Sequence, residues 1–223
     1  MTVENSKPRR GRPLKTGREN TDTRETLIRS GTAVLTEQGF AATGIDAILK
    51  QVGVPKGSFY YYFDSKESFG QAIIENYARF FAHKLDKFLL DDALAPLVRL
   101  RAFVEDAARG MAKYDYTRGC LVGNLGQEIA NLPVNFREQL RDILHIWEHR
   151  VSECLALAQR HGSLSPQANC DALAAYFWSG WEGAVMRAKL NANATPLNNF
   201  IHYFLAGLPR SPDDSSHFGV NDV

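Results

Sequence analysis

The run Lys56-Gly57-Ser58-Phe59-Tyr60-Tyr61-Tyr62 gathers groups that can grip and read a polyanion. A lysine ammonium pairs with a phosphate or a guanine edge, and a serine hydroxyl bonds either one. A phenol donates to phosphate oxygens. Gly57 lets a backbone approach closely. Helical spacing sends Phe59 and Phe63 inward and leaves Lys56, Gly57, Ser58, Tyr60 and Tyr61 near the outer face, with Tyr62 as a further phenol donor. Three successive tyrosines have little use on a surface that meets nothing. Thr43 offers a hydroxyl just upstream. Lys66 stands at a predicted helix N-terminus, whose free N–H groups favour a phosphate.

Two other groups carry chemistry. Between Lys7 and Arg18 the chain holds Lys7, Arg9, Arg10, Arg12, Lys15 and Arg18 with no acidic residue among them. Within it, Arg9-Arg10-Gly11-Arg12-Pro13 contains an Arg-Gly-Arg-Pro core of the AT-hook type. Extended arginines around a glycine fit a narrow, strongly negative A·T minor groove; the alternative is a solvated tail. The second group is Cys120, beside Arg118 and Gly119 near a predicted helix N-terminus. Cation and helix dipole would both lower the thiol pKa and favour the thiolate. The competing reading is a buried structural thiol. A thiol enzyme would need a base, and the sequence names no histidine partner.

Elsewhere the chemistry is thin. His145 and His149 are four apart on one predicted helix, but no third ligand stands in register and Glu148 is read as lying off their face. The glycines between Gly119 and Gly126 follow no strand and precede no Lys-Ser/Thr, so they read as close packing rather than a phosphate loop. No catalytic constellation, metal site or cofactor is expected.

The elements that must position these residues read as helix after helix, giving an all-α fold. No period-2 alternation and no hairpin signal stands out. The first helix is predicted from Asp22, whose spacing to Glu25 is that of a capping box, to Gly39. A second carries Ile45, Ile48, Leu49 and Val52 at i, i+3, i+4 and i+7. After the Gly53-Val54 turn, Pro55 suits the first position of a third. This is the helix-turn-helix pattern. Asp64 or Ser65 caps a long helix to about Leu90, and five more follow near 95–113, 121–131, 134–161, 168–191 and 197–208. The domains are therefore read as a disordered basic arm (1–20), a helix-turn-helix domain (21–67), a helical sensing and dimerisation domain (68–209) and a disordered tail (210–223).

Composition agrees with a globular protein: 44% hydrophobic, 23% charged, net charge +1 over 223 residues. Charge is local rather than global, so the whole molecule is no nucleic-acid sponge. Three scattered cysteines form no disulfide framework and fit a reducing cytoplasm. No apolar segment follows the basic N-terminus as in a secretory signal. The apolar stretch Ala172 to Val185 is interrupted by Glu182 and too short to span a bilayer.

Residues 43–67, from Thr43-Gly44-Ile45 through the Gly-Ser-Phe-Tyr-Tyr-Tyr-Phe and Ser65-Lys66-Glu67 blocks, resemble the DNA-binding signature of the TetR family. The resemblance implies a homodimer, an all-α ligand domain and control of transcription, usually repression, at double-stranded operator DNA. It carries phosphate or base contact onto Thr43, Lys56, Ser58, Tyr60, Tyr62 and Lys66. Pro55 departs from the pattern, standing where a Ser or Thr cap is common. Loss of that cap costs about 1 kcal/mol. Residues 119–128, the helix 136–161 and the stretch 180–189 look similar to the electrophile- and acrylate-responsive (NemR-like and AcuR-like) branch. In electrophile-sensing members a Cys in a Gly-Cys-Leu block works with a Lys in an Ala-Lys pair, here Cys120 and Lys189. Asn124, Trp147 and Trp181 complete the candidate sensor set for a small-molecule effector of unknown identity. The apolar face of the 168–191 helix carries Gly180, Ala184 and Ala188 every four residues. With Phe200, Ile201, Phe204 and Leu205 it reads as a dimer interface, the alternative being an internal core face. The function that follows is an effector-released repressor; an activator or a constitutive DNA-binding protein remains open.

Overall fold

The computed structural model describes the backbone of residues 17–210 and the side chains of 22–210. Among these residues there are nine α-helices: α1 (Gly17–Gln38), α2 (Ile45–Val52), α3 (Lys56–Tyr62), α4 (Lys66–Leu89), α5 (Pro96–Ala112), α6 (Leu121–Gln127), α7 (Val134–Arg160), α8 (Cys170–Asn191) and α9 (Thr195–Ala206). A single 3-10 turn, Ile129–Asn131, completes the stretch expected as one helix over 121–131. No described helix is long and apolar enough to cross a membrane.

Local chemistry sets most of the boundaries. α1 stops where Gly39 takes φ +82, and α2 stops at Gly53 with φ +66, backbone that an L side chain rarely adopts. Ser65 opens α4 with a reciprocal cap: the Ser68 N–H donates to Ser65 Oγ, and the Ser65 N–H donates to Ser68 Oγ. Two expectations need correction. α1 already runs at Gly17, and the Asp22 carbonyl sits inside it, accepting from Thr26 Oγ1 at 2.8 Å. Nothing between Arg18 and Ser30 is Gly or Pro, so the capping-box spacing at Asp22 does not stop the helix from extending backward. Pro55 caps α3 from outside rather than opening it: with ψ 144 it stays extended while its carbonyl accepts from the Ser58 N–H.

The helices share one continuous core that runs from α1 to α9. Leu27, Leu35, Ile48, Leu49 and Phe59 fill the space among α1–α3 and the start of α4. α1 lies so close to α4 that a Cβ on Gly31 would meet Ile73 and Phe69 at 2.5 and 2.7 Å. Further along, α4, α5, α7 and α8 enclose an aromatic cluster of Tyr77, Phe81, Phe103, Trp147, Trp178 and Trp181. On α8 the small-residue line is spent inside the chain. Gly180 makes room for the Phe200 ring of α9, and Ala184 and Ala188 are buried. What α8 and α9 leave outside is Tyr176, Met186, Leu190 and Tyr203.

Candidate DNA-reading and sensor sites

α3 displays the face expected of it. Phe59 and Phe63 are buried against Phe69, so the opposite side of this short helix must face outward. Lys56, Gly57, Tyr60 and Tyr61 are exposed, and Ser58 and Tyr62 are half-buried. Tyr61 reaches 72% exposure, an unusual investment for an aromatic ring, and a Cβ on Gly57 would meet only open space. Lys56 Nζ lies 3.0 Å from Asp46 of α2. The hydrogen bond and the charge of Asp46 raise the lysine pKa, so the ammonium persists. Both partners are exposed, and such a pair exchanges for a phosphate at little cost.

Two residues expected to join this face do not. Thr43 is only 3% exposed, and its hydroxyl donates to the Gly39 carbonyl at 2.5 Å. It stabilises the turn after α1 instead of meeting DNA. Lys66 turns back: its Nζ donates to the Phe40 carbonyl at 2.8 Å and sits 4.4 Å above the Phe40 ring. Partial burial lowers its pKa. Arg9, Arg10 and Arg12 lie outside the described residues.

The sensor candidates collect around α6. Cys120 is 4% exposed, and its surroundings reverse the expectation of a favoured thiolate. Burial and the neighbouring Glu182 carboxylate push the thiol pKa well up. Arg118, the cation expected to help, is committed elsewhere, with Nε 2.7 Å from Glu37 and its guanidinium over the Tyr114 ring. Trp147 and Trp181 are almost fully enclosed in the aromatic cluster. The histidines of α7 face their own acids, His145 to Glu148 and His149 to Glu153, which corrects the placement of Glu148 off that face.

Asn124 and Lys189 meet at a point that sequence did not suggest. Both donate to the Thr36 carbonyl in the last turn of α1, at 2.7 and 3.0 Å. A helix C-terminus leaves its final carbonyls without helical partners. Here an amide from α6 and an ammonium from α8 satisfy one of them. Glu128, just past α6, grips the next link. Its carboxylate accepts from the Phe40 N–H and, at 2.8 Å, from the Ala41 N–H. A Cβ on Gly39 would occupy the place of that carboxylate, so the positive-φ glycine also makes the contact possible. The Arg118–Glu37 pair adds a fourth tie. Residues 118–128 thus hold the end of α1 and the loop that leads into α2.

Sequence reasoning missed Glu128, Glu182 and Tyr77. Glu182 carries a visible signal, a lone carboxylate in an otherwise apolar stretch of α8. Its carboxylate presses against Gly123 of α6, where a Cβ would collide with it.

Residues 27–73 match the family described as bacterial regulatory proteins, tetR family, and residues 96–204 match the tetracyclin repressor-like C-terminal domain. The transcriptional regulator AcuR of Cereibacter sphaeroides is 49% identical over 89% of this chain and 90% of its own. The chain belongs to the TetR family. A crystal structure of a regulatory protein TetR from Rhodobacter sphaeroides, also 49% identical, superposes with a TM-score of 0.81 over 82% of this chain and 97% of that one. The Escherichia coli transcriptional repressor NemR is 28% identical over 81% of this chain and 90% of its own. The crystal structure of its reduced form gives a TM-score of 0.78 over 86% of this chain and 99% of that one. As a TetR-family member the chain is a DNA-binding, non-enzymatic transcription regulator with its helix-turn-helix in α2 and α3. The family removes the thiol-enzyme reading of Cys120, and the sensor and buried structural thiol readings both stand.

Proposed function

We propose that this regulator is a homodimeric repressor that leaves its operator when a small electrophile modifies or occupies the region around Cys120. The reader is residues 21–67, with Lys56, Gly57, Ser58, Tyr60, Tyr61 and Tyr62 at the major groove and at phosphates. Arg9, Arg10 and Arg12 of the arm (1–20) enter the adjacent minor groove. Residues 68–209 sense and dimerise, residues 210–223 form a tail, and the protein works in the bacterial cytoplasm. The exposed rings of Tyr176 and Tyr203 on α8 and α9 supply apolar area for a two-fold interface.

The observation that carries this reading is the grip of residues 118–128 on the α1 end and the α1–α2 loop. Cys120 lies in that segment at the start of α6, and Lys189 on the neighbouring α8 shares the Thr36 carbonyl with Asn124. A group added at the buried Cys120 sulfur must displace its neighbours, and α6, which begins just after it, moves with them. The helix-turn-helix then loses its alignment with the groove. The effector needs only to favour the moved state over the DNA-bound one, which is a coupling free energy. The repressor relatives support the direction of control.

The test is fluorescence anisotropy with an operator duplex selected from random sequence. Lys56→Ala should weaken binding roughly 10–100-fold. Removal of residues 1–16 should flatten the salt dependence by up to about three counterions. A small electrophile should release the wild type, whereas Cys120→Ser should bind DNA and resist release. Release that survives Cys120→Ser overturns the thiol trigger, and affinity indifferent to every electrophile and small acid overturns effector control.

A further inference from the structure

The helix-turn-helix hangs from a closed neck. Lys66 Nζ, in the first turn of α4, donates to the Phe40 carbonyl at 2.8 Å, across 26 positions of sequence. Both α2 and α3 lie inside the loop that this bond closes. Lys66 also sits 4.4 Å above the Phe40 ring, so the ammonium meets the loop at two points.

Phe40 is held by its backbone and by its ring. Its N–H donates to the Glu128 carboxylate, which comes from the sensing half. Its carbonyl accepts from the Thr43 N–H as well as from Lys66. The ring is buried and meets Phe136, in the first turn of α7, edge-on at 5.1 Å. α4 makes room for both rings at Gly70, where a Cβ would stand 2.6 Å from Phe40 and 2.7 Å from Phe136. Parts of α4, of α7 and of the segment after α6 therefore converge on one loop residue. Packing beside it is incomplete. Leu35, Thr43, Ile45 and Lys66 border a gap of about 10 Å³ next to Phe40, room for a single water at most. Close packing alone does not fix the loop, and the polar ties matter accordingly.

A lysine that opens a helix can also serve a phosphate. Here such a swing would give up the carbonyl, the ring and the place beside the Glu128 charge together. We propose that Lys66 is a positioning residue for operator recognition: it closes the neck at Phe40 and so fixes the angle at which α2 and α3 meet the groove, without touching DNA. It acts through Phe40, which the sensing half grips by the N–H and the ring, so the neck is also where that half takes hold of the reader. The proposal rests on α2 and α3 as the DNA reader and stands apart from any role of Cys120.

Reading base edges demands an exact helix orientation, whereas attraction to phosphates tolerates error. A loosened neck therefore costs affinity for the operator and spares affinity for unrelated DNA. Loss of a phosphate contact weakens both alike and lowers the salt slope.

The experiment is fluorescence anisotropy of the full-length protein on the selected operator duplex and on a scrambled duplex, over about 50 to 300 mM salt. Lys66→Met keeps the apolar stem and removes the charge and the donors. It should lose about tenfold in operator affinity, keep its affinity for the scrambled duplex, and keep the slope of log affinity against log salt. Lys66→Arg should restore most of the operator affinity. Phe40→Leu, which retains the backbone bonds and loses the ring, should show the same selective loss. Circular dichroism checks that each variant is folded, and Phe40→Leu decides the matter if Lys66→Met is not. A Lys66→Met slope lower by about one, with both duplexes weakened alike, identifies a phosphate contact and overturns the proposal. Unchanged operator affinity in Lys66→Met, or in Phe40→Leu where that variant decides, overturns it too. Lys56→Ala separates the two readings. If it and Lys66→Met both leave operator affinity unchanged, the reading face fails together with the proposal. A loss confined to Lys56→Ala defeats the proposal alone.

Discussion

α3 and the cluster between α4 and α8 both use aromatic residues, in opposite ways. α3 displays Tyr60 and Tyr61 at the surface and anchors itself through Phe59 and Phe63, with Tyr62 partly packed beside them. The cluster hides Trp147, Trp178 and Trp181 and leaves two of their N–H groups unpaired. In α3 polar potential is held open for a partner that comes from outside. In the cluster it is closed off inside the core. Substitutions should therefore divide: on α3 they change binding and spare the fold, and in the cluster they change the fold.

Trp147→Ala is the strongest way to break that division. The ring packs 4.3 Å from Phe81 and 5.1 Å from Trp178, centroid to centroid. Its removal should cost about 3–5 kcal/mol of unfolding free energy, read by urea titration. Lys56→Ala should stay within about 0.5 kcal/mol of the wild type in the same titration while losing operator affinity. Equal stability losses for the two variants would erase the comparison.

The two regions also differed in how much of them was legible in the sequence. The reading face is local: residues 56–63 contain both the anchors and the displayed groups, so helical spacing sorted them. Even there, Thr43 and Lys66 went astray, because their partners, the Gly39 and Phe40 carbonyls, belong to a loop whose path spacing does not predict. The surroundings of Cys120 come from distant parts of the chain, Glu182 of α8 among them. Spacing found Cys120 but assigned its environment from its neighbours Arg118 and Gly119. Burial comes first in setting the thiol pKa, and then Glu182, 62 positions away. Helix boundaries came through well wherever Gly39, Gly53 or Ser65 punctuates the chain, and failed at Asp22, where nothing halts the helix.

A second prediction sharpens the comparison through pH. Glu182 has a folded pKa of about 7 against an ordinary 4.5. The folded state therefore holds this proton more tightly than the unfolded chain does. The sign follows: stability from this group is fully present below about 4.5 and is lost as pH rises to about 7. The loss is on the order of 3 kcal/mol at most. Glu182→Gln removes the dependence. The melting temperature of the variant relative to the wild type should thus be several degrees more favourable at pH 8 than at pH 5. A difference that does not change between those pH values would mean the carboxylate is not buried in the folded protein.

The smallest effect is the most informative, because Glu128 belongs to neither region. It touches neither the displayed face of α3 nor the aromatic cluster, yet its carboxylate bonds the Phe40 and Ala41 N–H groups where α1 hands over to α2. Glu128→Ala leaves the part-buried Phe40 N–H without an acceptor and removes the anion beside Lys66, at about 1–2 kcal/mol. If residues 118–128 are the mechanical link, this variant should still bind operator and still accept an adduct at Cys120, but the affinity ratio with and without the adduct should shrink severalfold. The measurement is operator anisotropy on modified and unmodified protein at one ionic strength. An unchanged ratio would mean that the signal bypasses this grip and travels along α4, the helix that connects both regions directly.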